Sequence, residues 1–458
     1  MALTPEQKRK ARVAARKRAI RARIFLFTVI ILIIVITFFG FRSCGKQVQK
    51  SELEILNQAI NEKYFKDTTA EYINLDEYYI YGTYLNLKGS IDLEDGKTVE
   101  DMKLFFADKD GNEKKYSISY ESQDNKLNYY LSTEINDGIH LDELPEGNFI
   151  PIIEITYSDY ISKYYMISNK TSYPDLEYYT VTKNNSNNKI YIDGTGTNLV
   201  ITVKQSELPE GVFDIVIDAG HGGKDSGAIN GNHYESNIAM DYAKSLKSSL
   251  EKLGLKVKLT RDGTESDTKD TVYNSYDSDG RVDITCSSGA KYCLSIHLNS
   301  NEAELNSGGV EIFAPGNANL YFASLLAENI VNYANTQYSS MGTYKVEPGV
   351  YVRNFTQNDI ADMKDSANAA GYKPYDITLN TPYLFMIRET GGFMTGAFAD
   401  GRNKSYGINR FMDSNKGVET YILELGYISE DSDLQNILNN KNDYIDGIIN
   451  AIKDYFGL

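Results

Sequence analysis

Four hydrophobic patterns follow one another along the chain. Ile24 to Phe41 (IFLFTVIILIIVITFFGF) runs eighteen residues without a charge. At about 1.5 Å per helical residue that nearly matches a hydrocarbon core of roughly 30 Å, and it predicts a transmembrane helix over 24–41. Between 51 and 65, Leu53, Leu56, Ile60 and Tyr64 share one helical face, which predicts a juxtamembrane helix and linker over 51–72. From about 72 to 205 the period falls to two. Leu85, Leu87 and Ile91 alternate with polar residues, as do Tyr116, Ile118 and Tyr120, then Leu127 and Tyr129. Asp110-Gly111, Pro145-Glu146-Gly147 and Asp193-Gly194 punctuate these runs as turns. Such spacing predicts an all-β domain over 73–208, a β-sandwich of immunoglobulin-like kind. The fourth pattern begins beyond Pro209. The run Phe213–Asp218 (FDIVID) reads as a buried strand, a helical pattern spans Glu235 to Leu253, and Lys256–Thr260 is a strand. A helix around 275–288, the strand Tyr292–His297 and a late strand through Tyr421–Glu424 (YILE) complete it. Strands alternating with helices predict an α/β domain over 212–458, whose sites lie at the strands' carboxyl ends.

Charge sharpens the division. The net charge of −16 combines about +11 in residues 1–50 with about −27 in the rest. Nine basic residues lie between Lys8 and Arg23, a basic head over 1–23 that stays cytoplasmic and sets everything beyond about residue 43 outside the membrane. A cleaved signal peptide would carry a shorter apolar region followed by small residues, and Phe38-Phe39-Gly40-Phe41-Arg42 offers no such site. The expected arrangement is a single-pass membrane protein with an extracytoplasmic body. A body this acidic repels phosphates, which excludes nucleic acid as a partner. Three cysteines exclude a disulfide-dense scaffold or a multi-cysteine zinc module. The many tyrosines of the all-β domain read as half-buried strand packing rather than a sugar-binding platform, and the chain has no tryptophan.

Candidate chemistry is confined to the α/β domain. The glycine-rich stretch Ala219–Ala228 is no phosphate cradle of Walker type, because Lys224 is followed by Asp225. Its distinctive member is His221, directly after a strand. The chain has four histidines, His140, His221, His233 and His297, and two of them stand at the carboxyl ends of buried-type strands. One histidine there is more often a packing or capping residue. Two reaching one sheet edge, with Glu235 opening the helix between them, form a three-ligand set of the kind that holds catalytic zinc. His233 competes as a ligand by proximity in sequence. Glu424, carried on an apolar run toward the same edge, is costly to bury without a partner or a purpose, the alternative being a glutamate facing solvent.

The set GHGGKDSGA, the glutamate at the start of the next helix, SIHLN and ELGYIS resembles the zinc-dependent N-acetylmuramoyl-L-alanine amidases of type 3. The resemblance covers about residues 212–458. It implies a mixed, mostly parallel sheet flanked by helices, zinc held by His221, Glu235 and His297, and Glu424 as the catalytic residue. It also implies a hydrolase for the amide joining N-acetylmuramic acid to L-alanine in peptidoglycan. Asp225 and Asn299 are candidates to steady the ligands or touch substrate. The stretch Gly391–Gly417 brings Arg402 and Arg410 into an acidic body and is expected to line the cleft and hold stem-peptide carboxylates or close over them, the alternative being a solvated surface insertion. Cys286 and Cys293 depart from the family's pattern and stand where a short disulfide could close. The residues alone leave two other readings open, a zinc peptidase acting on wall peptides and a catalytically silent wall-binding scaffold. They name no protein partner.

Overall fold

The architecture is taken from a computed structural model of the chain, which describes residues 52–66, most of 71–266, 280–301, 308–314, 320–352 and 418–458, with scattered positions between 356 and 379. The predicted head and transmembrane span lie outside the described residues. Among the described residues no helix is long and apolar enough to cross a membrane. Two compact units are distinguished, one of residues 1–66 with 109–111 and the other of the remainder. In the first, a helix occupies 52–64.

The second unit begins with the expected all-β segment, twelve strands between Glu71 and Ser206. Its hydrogen bonds differ from those of an immunoglobulin-like sandwich, because they join all twelve strands into one sheet instead of two separate ones. Two long strands make the joins: Glu71–Tyr81, which pairs first with Ser162–Ser168 and then with Tyr84–Asp92, and the mostly buried Gly147–Tyr157. The latter pairs with Val200–Ser206 near its start and with Val99–Ala107 and Ser162–Ser168 along the rest. Tyrosine serves packing here: Tyr157 and Tyr165 are buried with their hydroxyls 3.4 Å apart.

The α/β segment is built on a seven-stranded sheet. Its order is Val257–Leu259, Ile215–Ala219, Tyr292–Asn299, Glu419–Tyr427, Glu311–Ala314, Val350–Val352, Lys345–Glu347. The first four run parallel, Glu311–Ala314 is antiparallel to Glu419–Tyr427, and the sheet is therefore mixed and mostly parallel as expected. Ile215, Val216 and Ile217 are fully buried, as strands covered on both faces must be. The helix Glu235–Lys252 lays Ile238, Ala239, Tyr242, Ala243, Leu246 and Leu250 against the sheet at helical spacing. Helix Leu320–Tyr333 packs along Lys441–Phe456 at Gly447, where a Cβ would lie 2.8 Å from the Asn329 carbonyl oxygen. Only glycine lets these backbones approach so closely.

The two segments of this unit meet at the starting end of the central strand. The buried Thr83 hydroxyl lies 2.8 Å from the Tyr292 hydroxyl, and the Lys291 ammonium sits 5.0 Å from the centre of the Tyr178 ring. At about 3.3 Å per residue, His297 lies roughly 17 Å further along that strand. The all-β segment thus grips the sheet at the end opposite the site.

Candidate metal centre and active site

Strand Ile215–Ala219 delivers the chain into a turn where His221 adopts φ 58°, a left-handed conformation uncommon for a residue with a side chain. The turn is closed by reciprocal backbone bonds between Gly222 and Asp225 at 2.8 and 3.1 Å. Asp225 Oδ2 lies 2.6 Å from His221 Nδ1, and its other oxygen accepts the Gly227 amide at 3.0 Å. Asp225 thereby fixes the imidazole and turns Nε2 inward, toward Glu235 Oε1 at 3.1 Å. The same Oε1 lies 3.0 Å from His297 Nδ1 and accepts the Leu298 amide, while Oε2 accepts the Ala228 amide. Two glycines make the crowding possible. A Cβ at Gly220 would lie 2.4–2.6 Å from three atoms of the His297 ring, and one at Gly227 would lie 2.7 Å from both Glu235 and His221.

All three side chains are buried, with His221 7%, Glu235 3% and His297 6% exposed, and each offers one ligand atom within 4.8 Å of the others. Nε2 of His297 is buried with no hydrogen-bond partner among the described residues. Two imidazoles, one of them with an orphaned ring nitrogen, and a carboxylate are a donor set that suits a divalent cation of the zinc type. The electrostatics agree. Burial alone would lower the pKa of His221, but Asp225 and Glu235 outweigh it and push the group up to about 10. Burial would raise Glu235, yet the two histidines hold it far below the usual carboxylate range. His297 is shifted down, mainly by burial. Asp225 and Glu235 thus both favour the cationic form of the His221 ring.

Glu424 comes from strand Glu419–Tyr427, directly beside His297 in the parallel register. Neighbouring strands are about 4.8 Å apart, so the two side chains share one face of the sheet. Both line a cavity of about 350 Å³ together with His221, Glu235, Asp225 and Asn299. The register slips between His297 and Asn299, a bulge of the kind that re-aims side chains beside sites. Asn299 is tied at both ends of its amide, Nδ2 donating to Glu311 Oε2 at 2.9 Å and Oδ1 accepting the Ser300 amide at 2.8 Å. That makes it part of the cleft wall.

His233 lies on the short hairpin before Glu235 and is outside the ligand group; His140 belongs to the all-β segment. Arg402, Arg410 and the loop that carries them lie outside the described residues. So does the side chain of Cys286, and with it the expected pairing with the buried Cys293. The sequence reasoning missed the buried charges beneath the site. Asp218 is fully buried, accepts the hydroxyls of Thr260 and Ser295, and faces Arg281 at 3.3 Å. Glu311 accepts hydroxyls from Ser339 and Tyr427, each at 2.6 Å. A signal was available: Asp218 is a carboxylate ending an apolar run, the same anomaly that singled out Glu424.

Residues 215–363 match the family model described as N-acetylmuramoyl-L-alanine amidase. Among curated proteins, the N-acetylmuramoyl-L-alanine amidase AmiA of Escherichia coli is 36% identical over 104 residues, 22% of this chain and 32% of the relative. The "Probable cell wall amidase LytH" of Staphylococcus aureus is 35% identical over 134 residues, 28% of this chain and 40% of the relative. The chain thus spans about a third to two fifths of the length of these relatives. Among solved structures, the catalytic domain of CwlV, an N-acetylmuramoyl-L-alanine amidase of Bacillus (Paenibacillus) polymyxa, aligns over 54% of this chain and 99% of its own, at 22% identity and a TM-score of 0.34. The segment 215–363 belongs to the N-acetylmuramoyl-L-alanine amidase family.

Proposed function

We propose that this protein is a peptidoglycan hydrolase that cleaves the amide between N-acetylmuramic acid and L-alanine, using zinc held by His221, Glu235 and His297. The observation that carries the proposal is the convergence of those three residues on one cavity wall with Glu424 beside His297 in register. A zinc ion held there supplies Lewis-acid polarisation of the amide carbonyl and lowers the pKa of water from about 15.7 toward 7. The chain supplies the rest. Asp225 keeps the His221 ring in the orientation that presents Nε2. The backbone amides of Ala228 and Leu298 hold the Glu235 carboxylate in place. Glu424 takes a proton from the attacking water and returns it to the departing alanine nitrogen, so that the amide carbonyl becomes an acid and the leaving group an amine. Burial of the three ligand side chains keeps bulk water away from their other faces.

In this proposal the span 24–41 anchors the protein in the cell membrane, with the basic head cytoplasmic and the α/β domain facing the wall. The deciding experiment is mass spectrometry of purified peptidoglycan incubated with the protein with and without zinc. Release of free stem peptides and intact glycan strands is expected. Cleavage only within the peptides would instead make the protein a zinc peptidase, and no product at all would leave the scaffold reading. Protease added to intact wall-stripped cells should remove everything beyond about Cys44, and complete protection would overturn the orientation.

A further inference from the structure

Two guanidinium groups lie behind the turn that carries His221, and nothing in the chemistry proposed above uses them. Arg261 follows the edge strand Val257–Leu259. Its Nε donates to the Ala219 carbonyl at 2.7 Å, and its Nη2 donates to the Gly220 and Ser236 carbonyls, both at 2.8 Å. Arg281 opens the helix Arg281–Ser287, and its Nη2 donates to the His221 carbonyl at 2.7 Å. The carbonyls of three successive residues, 219 to 221, are therefore all received by buried cations. Each guanidinium has a counter-charge: Asp218 faces Arg281 at 3.3 Å and Glu265 faces Arg261 at 3.5 Å. Room for Arg261 is reserved by Gly222, where a Cβ would lie 2.8–2.9 Å from three atoms of the guanidinium.

One detail separates Arg261 from an ordinary buried ion pair. Gly220 immediately precedes His221, and Ser236 immediately follows Glu235. A single nitrogen, Nη2, accordingly ties together the two segments that carry two of the three proposed ligands. The left-handed turn at His221 is a conformation the chain would relax if released, because a side chain there costs free energy that the surroundings must offset. The planar fork of arginine spans three carbonyls in fixed directions, whereas the compact ammonium of lysine does not.

We infer that Arg261 is a positioning residue for the metal centre, a clamp that holds the His221 turn in register with the start of the Glu235 helix and so sets the affinity of the site for its metal. This rests on the proposed metal site and extends it to a residue that touches neither metal nor substrate. Supporting groups behind metal ligands typically contribute about 10–100-fold in affinity.

The test is equilibrium zinc binding by the full chain in detergent, measured by competition with a chromophoric chelator, alongside thermal unfolding of the metal-free protein. Arg261→Ala should bind zinc about 10–100-fold more weakly. Arg261→Lys, which keeps the charge but loses the span, should be impaired nearly as much and serves if the alanine variant does not fold. Tyr242→Phe is the control, since it removes a buried hydroxyl bond to the Ile437 carbonyl at 2.6 Å on the helix that carries Glu235, about two turns beyond that ligand. It should lower the unfolding temperature and leave zinc affinity unchanged. Wild-type affinity in both Arg261 variants would overturn the clamp, as would an equal loss of affinity in Tyr242→Phe, which would trace the effect to general destabilisation. Failure of the unaltered chain to bind zinc would instead sink the metal site itself, and the clamp with it.

Discussion

The smallest side-chain addition the site could receive, a methyl group at Gly220, should disable it. An ideal Cβ there lies 2.4 Å from His297 Cε1, 2.5 Å from Nε2 and 2.6 Å from Nδ1, whereas ordinary van der Waals contact begins at 3.4 Å. Relief requires the imidazole, or the strand end beneath it, to move by about 1 Å. Metal–ligand distances tolerate only about ±0.2 Å, so a displacement of that size removes His297 from the ligand set. The fold should survive, because overpacking of this order costs about 1–3 kcal/mol. Gly220→Ala should therefore unfold cooperatively, a few degrees lower than the unaltered protein, yet bind zinc at least about 100-fold more weakly, and its hydrolysis of purified peptidoglycan should fall with the zinc it retains. Chelator competition and product release measured on one preparation read both quantities. Full zinc affinity in a folded Gly220→Ala protein would refute the reasoning, since it would mean that the position of His297 against Gly220 is immaterial to the metal.

Glu424→Gln should keep wild-type zinc affinity and lose about 10²–10⁴-fold in turnover, the usual contribution of a proton-transfer group; retained turnover would remove Glu424 from the mechanism. Zinc binding should release at least about one proton at neutral pH, because Asp225 and Glu235 push His221 up to about 10 and a cation must displace that proton, with any ionisation of zinc-bound water adding to it. Calorimetry in buffers of differing ionisation enthalpy measures this, and a release near zero would contradict it. Asp218 would be raised by burial alone, but Arg281, Ser295 and Thr260 hold its carboxyl below the ordinary 3.8. With the folded value depressed, its stabilising contribution is complete above about pH 4 and drains away as pH falls through the folded value. Asp218→Asn should accordingly cost about 3–5 kcal/mol at pH 7 by removing the carboxylate charge that faces the buried Arg281. That difference should narrow below about pH 4 in urea unfolding, and a difference independent of pH would show that Asp218 is not ionised in the folded protein.

What the sequence determined by itself is whatever is encoded locally. The apolar run ending at Asp218, the helical spacing from Ile238 to Leu250 and the strand before His297 are periodicities within a few residues, and the described elements follow them closely. His221, His297, Glu235 and Glu424 were legible because strands of a parallel sheet carry their last residues to a common edge, a rule that needs only the order of elements. The tertiary structure alone decided the rest. Arg261 meets the Ala219 carbonyl 42 positions away and Arg281 meets Asp218 63 away, distances over which no spacing in the sequence pairs one charge with another. Glu311 shows the same limit. Its strand enters the sheet antiparallel beside Glu424, more than a hundred residues later in the chain, and only that pairing brings Ser339, Tyr427 and Asn299 to one buried carboxylate. The single sheet of twelve strands was likewise beyond reach, because alternation says that a strand has two faces and not which edges it will share. Local patterns fix what each segment becomes. Long-range packing chooses the partners that bury its charges, and in this protein it sets the buried network beneath the proposed metal site.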